Sequence, residues 1–185
     1  MYNIFLFHGA YGHPEENWFP WLKQKLEDHA FKVEIPSFPT PSGQSLENWL
    51  KVFEKYEKNI DEHTIMIGHS IAPAFILTLL EKMNSPIKAA FFISPFINLL
   101  ENPEFDLINE SFINKDFNWE KIKAHSAHFS IFHSDNDPYV PLEKAQQVAE
   151  KLNIKVQVIS GAGHFNTSAG YDRFPLLLEE ILNMK

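Results

Sequence analysis

Thr64-Ile65-Met66-Ile67-Gly68-His69-Ser70-Ile71-Ala72-Pro73 joins two apolar runs through a glycine, a histidine and a serine. The first run, Thr64–Gly68, is short and continuously apolar, as a strand covered on both faces is. Residues 71–83 are apolar nearly throughout and long enough for a helix buried against that strand's sheet. Only a tight turn fits between them. A strand, a turn bearing serine and a helix in immediate succession are the setting of a nucleophile elbow, where the hydroxyl projects above the sheet from a strained backbone. The residues two before and two after the serine must be small, because backbones approach closely there. Gly68 meets this requirement, and Ala72 meets it where the common Gly-x-Ser-x-Gly pattern has its second glycine. The first turn of the helix aims backbone N–H groups at the serine, which suits a developing oxyanion. A serine that merely caps a buried helix would look the same locally.

Similar apolar runs recur on either side, at Asn3–Phe7, Lys32–Ile35, Ala89–Ser94, Phe129–His133 and Lys155–Ile159. Helical patterns lie between them. Residues 15–30 place Trp18, Trp21, Leu22 and Leu26 on one stripe, and residues 46–59 do so with Leu46, Trp49, Leu50 and Phe53. Pro141 and Pro175 stand where first-turn prolines would open helices over 141–152 and 175–184. Strand and helix alternate throughout, so the expected fold class is α/β, with a doubly wound, mostly parallel six-stranded sheet and helices on both faces. No repeat or linker divides the chain, and residues 1–185 are expected to form a single domain. The stretch 95–118 breaks the alternation, with Phe105, Phe112 and Phe117 but no clear period. It reads either as an irregular surface connection with a turn of helix or as a small lid over the strand ends.

A serine nucleophile needs a base, and the base needs a group to orient it. The last strand runs into Ser160-Gly161-Ala162-Gly163-His164-Phe165, where two glycines permit a sharp turn that aims the imidazole along the strand ends. The fifth strand runs into Ser134-Asp135-Asn136-Asp137-Pro138-Tyr139-Val140-Pro141. Either aspartate could serve, or could simply cap a turn or helix. Asp137 is favoured, because Pro138 restricts the residue before it to an extended backbone. The order Ser70, Asp137, His164 is that of α/β-hydrolases rather than of chymotrypsin or subtilisin. Each candidate follows its own strand, at the end where open α/β sheets place their sites. Two oxyanion donors are expected: the backbone N–H of Ile71, and one from the loop His8-Gly9-Ala10-Tyr11-Gly12, with Ala10 preferred over Tyr11. His8 reads as a brace for that loop.

Composition narrows the partners. The chain has 185 residues, enough to bury about 70% of its unfolded surface. Sixteen basic and 24 acidic side chains give a formal charge of −8. Arg173 is the only arginine, so the bidentate contacts that favour phosphates and bases are nearly absent and nucleic acid is not an expected partner. With no cysteine, a thiol nucleophile and thiolate metal sites are excluded. His125, His128 and His133 lack the spacing of a zinc site. The first residues suggest neither a signal peptide nor a membrane span, which makes the cytoplasm the expected location.

Phe7-His8-Gly9-Ala10, Gly68-His69-Ser70-Ile71-Ala72, Asp137-Pro138-Tyr139-Val140-Pro141 and Gly161-Ala162-Gly163-His164-Phe165 together resemble the α/β-hydrolase superfamily. More narrowly the chain is similar to the small, cap-less serine hydrolases of the retinoblastoma-binding protein 9 type, and Trp18-Phe19-Pro20-Trp21-Leu22 and Ile93-Ser94-Pro95-Phe96 share in that resemblance. The resemblance implies a Ser70–Asp137–His164 triad, no metal and no cofactor. The expected activity is acyl transfer on a small ester, thioester or amide, most simply as a carboxylesterase, with Tyr11 and Phe96 lining the substrate pocket. An aminopeptidase-like amide hydrolase and a protein-binding module on a catalytically idle fold are the alternatives, the latter leaving room for a protein partner without identifying one.

Overall fold

In a computed structural model, which describes residues 2–184, alternation of side chains across a sheet explains the continuous apolar runs. Six parallel strands, β1 (Asn3–Phe7), β2 (Lys32–Glu34), β3 (Thr64–His69), β4 (Ala89–Ile93), β5 (Phe129–Ser134) and β6 (Val156–Ile159), pair in the order β2-β1-β3-β4-β5-β6. Phe5, Phe7, Met66, Ala90 and Phe92 point to one face. Ile4, Leu6, Ile65, Ile67, Phe91 and Ile93 point to the other. Helices α1 (Phe19–Asp28) and α7 (Pro175–Leu182) cover the second face; α2 (Leu46–Phe53), α3 (Ala72–Lys82) and α6 (Leu142–Leu152) cover the first. With both faces covered, a polar side chain on a central strand is costly unless it finds a partner.

The strand order positions the site. From β1 the chain crosses to β2 at the edge, then returns to the opposite side of β1 as β3. The connections after β1 and β3 therefore diverge, and a crevice opens above their carboxyl ends. Phe7 pairs with Gly68 in register, so the loop after β1 and the turn after β3 emerge side by side.

Residues 95–118, read as an irregular connection with a turn of helix or as a small lid, are more regular than either reading specifies. They hold an 11-residue helix, α4 (Pro103–Ile113), followed by a short α5 (Trp119–Ala124) that the sequence pattern did not suggest. Asn102 caps α4 by accepting from the N–H groups of Glu104 and Phe105, and Pro103 occupies its first turn. The buried positions are Asn109, Phe112 and Ile113. That spacing is helical, but a polar residue in the buried stripe hid it. Smaller differences lie at element ends. α1 begins only at Phe19, with Trp18 buried ahead of it and Trp21 half-buried. The pattern over 46–59 is helical to Phe53 and tightens to a 3₁₀ turn over Glu54–Asn59.

Phe75 of α3 lies at the centre of an aromatic cluster, with ring centroids 5.3 Å from Phe38, 5.5 Å from Trp49, 5.8 Å from Phe7 and 5.9 Å from Phe53. Phe75→Ala should cost about 3–5 kcal/mol, because it removes a fully buried ring from edge-to-face contacts and leaves a cavity. A lower urea midpoint at unchanged slope would register this; a loss below about 1 kcal/mol would mean the cluster can collapse around the gap.

Candidate active site

Ser70 has φ +64°, a backbone conformation that a residue bearing a Cβ enters only when its surroundings impose it. Here they do. Its N–H donates to the Ile93 carbonyl at 2.9 Å, and β3 and α3 fix the chain on either side. A Cβ on Gly68 would lie 2.8 Å from Ile76 Cδ1 and 2.9 Å from the Pro73 nitrogen, so the turn closes only over glycine. Across the crevice, a Cβ on Gly9 would lie 2.8 Å from Ser70 Cβ. The loop after β1 thus packs its backbone directly against the serine.

Two amides flank that contact. The backbone N–H groups of Ala10 and Ile71 have no hydrogen-bond partner among the described residues, whereas that of Tyr11 donates to Thr40 Oγ1 at 2.7 Å. His8 holds the loop from below. The Phe38 N–H donates to its Nε2 at 3.0 Å, so Nε2 carries the lone pair and the protonated Nδ1 donates to the Gly9 carbonyl at 2.9 Å. Burial pushes its pKa down, with the Gly9 bond partly opposing. His8 is a neutral brace, as the sequence suggested.

His164 and Ser70 line the same cleft. Its Nδ1 donates to Asp137 Oδ2 at 2.7 Å, which leaves the Nε2 lone pair of the neutral ring for a proton acceptor's role. The Ser70 hydroxyl itself makes no hydrogen bond among the described residues. Asp137 is buried, with its side chain only 1% exposed, and both oxygens are used. Oδ1 accepts from the N–H groups of Tyr139 (2.9 Å) and Val140 (3.0 Å), and Oδ2 accepts from Ser94 Oγ (2.9 Å) as well as His164. Burial by itself would raise this carboxyl's pKa; the His164 bond and charge and the two amides outweigh it and hold it below the usual aspartate value. The neighbouring Asp135 points elsewhere and accepts from the Gly161 N–H at 2.8 Å, bracing the turn that carries His164.

The cleft has a volume of about 340 Å³. Tyr11 and Phe96, both expected in a pocket, line it together with Leu100, Phe105, Val140 and the polar Asn109 and Glu16. Tyr11, Phe105, Tyr139 and His164 form a chain of edge-to-face rings across its mouth.

The chain matches the family described as serine hydrolase over residues 4–182. It is 25% identical over 178 residues to the YdeN protein of Bacillus subtilis (strain 168), covering 95% of this chain and 92% of that one. To the serine hydrolase RBBP9 of Rattus norvegicus it is 29% identical over 154 residues, covering 82% and 79%. The crystal structure of the B. subtilis ydeN gene product superposes with a TM-score of 0.93 at 24% identity, covering 100% of this chain and 98% of that one. Est1E of Butyrivibrio proteoclasticus shares the fold at a TM-score of 0.70 and 18% identity, covering 99% and 88%. This chain belongs to the serine hydrolase family. Among its described residues no helix is long and apolar enough to cross a membrane, and no group of three or more His, Asp or Glu side chains is placed to hold a metal ion.

Three features of this serine hydrolase's site were not read from its sequence. Ser94, at φ +50°, donates to Asp137, a role that neither its place at a strand end nor the Ile93-Ser94-Pro95-Phe96 resemblance assigns to it. His69 lies within the elbow but points away from it, and its Nε2 donates to the His164 carbonyl at 2.8 Å. His133 donates from Nε2 to the Val140 carbonyl at 2.9 Å, fixing the loop of Asp137, while its Nδ1, shut off from solvent, has no partner among the described residues. Each role depends on which residues meet across the sheet, and local sequence carries no signal of that.

Burial drives the pKa of His69 down to about 3, and the neighbouring His164 adds to this. Burial likewise lowers His133 and His8. His69 stays neutral in the native hydrolase but protonates in the unfolded chain near 6.5, so the unfolded state binds more protons as pH falls from 6.5 toward 3, and His8 and His133 act in the same direction. Glu16, raised by burial, works in the opposite sense with a single group. Stability should therefore decline between pH 6.5 and 4.5, by up to about 1.4 kcal/mol per pH unit from His69. His69→Gln should flatten the slope. Urea unfolding at several pH values tests this, and equal stability across that range would contradict it.

Proposed function

We propose that this hydrolase cleaves small carboxylic esters by acyl transfer through Ser70, His164 and Asp137. The observation that carries the reading is the 2.7 Å bond from His164 Nδ1 to a buried, doubly anchored Asp137, set across one cleft from a serine held at φ +64°. Ser70 Oγ attacks the ester carbonyl while His164 Nε2 takes its proton. The free N–H groups of Ala10 and Ile71 receive the oxyanion, and Gly9 permits the approach that brings them together. His164 then protonates the leaving alkoxide, and water repeats the sequence on the acyl-enzyme. Asp137 holds the imidazole in the useful tautomer and offsets its positive charge. Nothing in this sequence of steps requires a cofactor, and the substrate partner is a small acyl compound. An aminopeptidase-like reaction is the second reading; Glu16, a carboxylate facing the same cleft with no ion-pair partner among the described residues, is what an aminoacyl ammonium group would meet.

Ser70→Ala should abolish labelling by a fluorophosphonate probe and essentially all ester hydrolysis. Asp137→Asn should lower kcat about 10⁴-fold by stabilising the wrong tautomer, while Asp135→Asn does far less. Labelling that persists in the Ser70 variant, or the reverse ranking of the two aspartates, would refute the assignment. Hydrolysis of aminoacyl amides in preference to esters would favour the second reading.

Phe96, Leu100, Phe105 and Val140 wall a cleft at the small end of ligand sites, and no cap domain enlarges it among the described residues. Each acyl methylene buried there should add about 0.8 kcal/mol of binding until the chain outgrows the wall. Short acyl groups are therefore expected to be preferred, without activation at lipid interfaces, and the net charge of −8 should disfavour anionic substrates at low salt. Measuring kcat/KM for p-nitrophenyl esters of increasing length checks this; a steady rise into long chains, or a jump above the micellar concentration, would overturn it.

A further inference from the structure

Asn109 is 2% exposed, lies on the inner face of α4 and lines the same cleft as Phe96, Leu100, Phe105 and Val140. A network of hydrogen bonds fixes which way its amide faces. The Tyr11 N–H donates to Thr40 Oγ1, leaving the Thr40 hydroxyl proton to donate to Gln44 Oε1. Gln44 Nε2 then faces two acceptors, the Ile108 carbonyl at 3.1 Å and Asn109 Oδ1 at 2.8 Å. A carbonyl cannot donate, so Gln44 cannot be reversed, and Asn109 must present Oδ1 to it. Asn109 Nδ2 is left with two N–H donors, no partner among the described residues and the cleft in front of it.

We propose that Asn109 is a specificity-determining residue that donates from Nδ2 to an oxygen carried on the substrate's acyl portion. The proposal rests on the ester-hydrolase reading and names its substrate class: small acyl groups bearing a carbonyl, ether or hydroxyl oxygen rather than plain alkyl chains. Phe96, Leu100, Phe105 and Val140 hold the carbon skeleton, and Asn109 reads the one polar substituent. An alkyl chain of the same shape would exclude water from Nδ2 and leave the donors unsatisfied, which is how a site built to hydrogen-bond rejects an isostere. The same network ties α4 to the loop after β1 through Thr40, so the residue that reads the substrate and the loop bearing the Ala10 amide share one rigid support.

The test compares p-nitrophenyl esters in isosteric pairs, 4-oxopentanoate with 4-methylpentanoate and methoxyacetate with butanoate. The ratio of kcat/KM within a pair, taken in variant over wild type, cancels the intrinsic reactivity of each ester. In Asn109→Leu this ratio should fall about 10–100-fold for at least one pair, with hydrolysis of the alkyl ester rising. Asn109→Asp keeps an acceptor toward Gln44 but turns a second acceptor to the substrate, so it should lower the ratio as well, and it carries the measurement if the leucine variant does not fold. A ratio within fivefold of wild type for both pairs, or equal losses on both members, overturns the proposal while leaving the hydrolase reading intact. If wild-type protein hydrolyses none of the four esters and escapes fluorophosphonate labelling at Ser70, the hydrolase reading fails and takes this one with it.

Discussion

At φ +64° Ser70 occupies a conformation that costs on the order of 1–3 kcal/mol, and the surrounding sheet sustains it. Both sides of the turn are pinned in apolar surroundings: every residue of β3 is buried, and nearly all of α3 is. The Ile93 carbonyl takes the serine's N–H, and Gly68 and Gly9 let two other backbones come within contact distance. Relaxing the turn would mean unpacking β3 from β1 and β4. The strain is therefore local, while its support is the whole central sheet.

A second layer of order comes from histidines whose burial disfavours the charged form. His8, His69 and His133 are buried, and each uses one N–H to grip a backbone carbonyl: that of Gly9, His164 and Val140 respectively. Those three carbonyls belong to the loop facing the serine, to the His164 residue itself and to the loop of Asp137. Imidazole suits the task because it spans the gap between strand ends and reaches a carbonyl without bringing a charge, provided burial keeps it neutral. His164 differs in its hydrogen bond: its N–H goes to a carboxylate, Asp137 Oδ2, at 2.7 Å rather than to a backbone carbonyl.

The six strands, their parallel pairing and the order of Ser70, Asp137 and His164 were legible because the underlying signals are local or periodic. A strand buried on both faces must be apolar without interruption, and a glycine–serine turn between such a strand and an apolar helix admits few backbones. That Asp137 rather than Asp135 meets His164 also has a local signal, since Pro138 follows it. Helix α4 was not legible. Its buried stripe runs through Asn109, and a hydrophobic period cannot be seen where one of its members is polar. The residue that concealed the helix is the one whose amide donors face the cleft, in keeping with the tendency of local rules to fail at functional positions.

By itself the sequence determined the fold class, the strand ends on which chemistry-bearing side chains stand, and the small residues that permit close backbone approach. These follow from hydrophobic period, turn chemistry and the absence of a Cβ, all properties of short segments. Tertiary structure alone decided the partners: Ser94 on Asp137, His69 on the His164 carbonyl, Gln44 on Asn109 and Gly9 against Ser70. Each pair is separated by 43 to 95 residues, or stands on two loops that meet only because β1 and β3 are neighbours. Hydrogen-bond direction and burial are properties of such meetings, so tautomers, the lowered pKa of His69 and the free donors of Asn109 exist only once the sheet has brought the loops together.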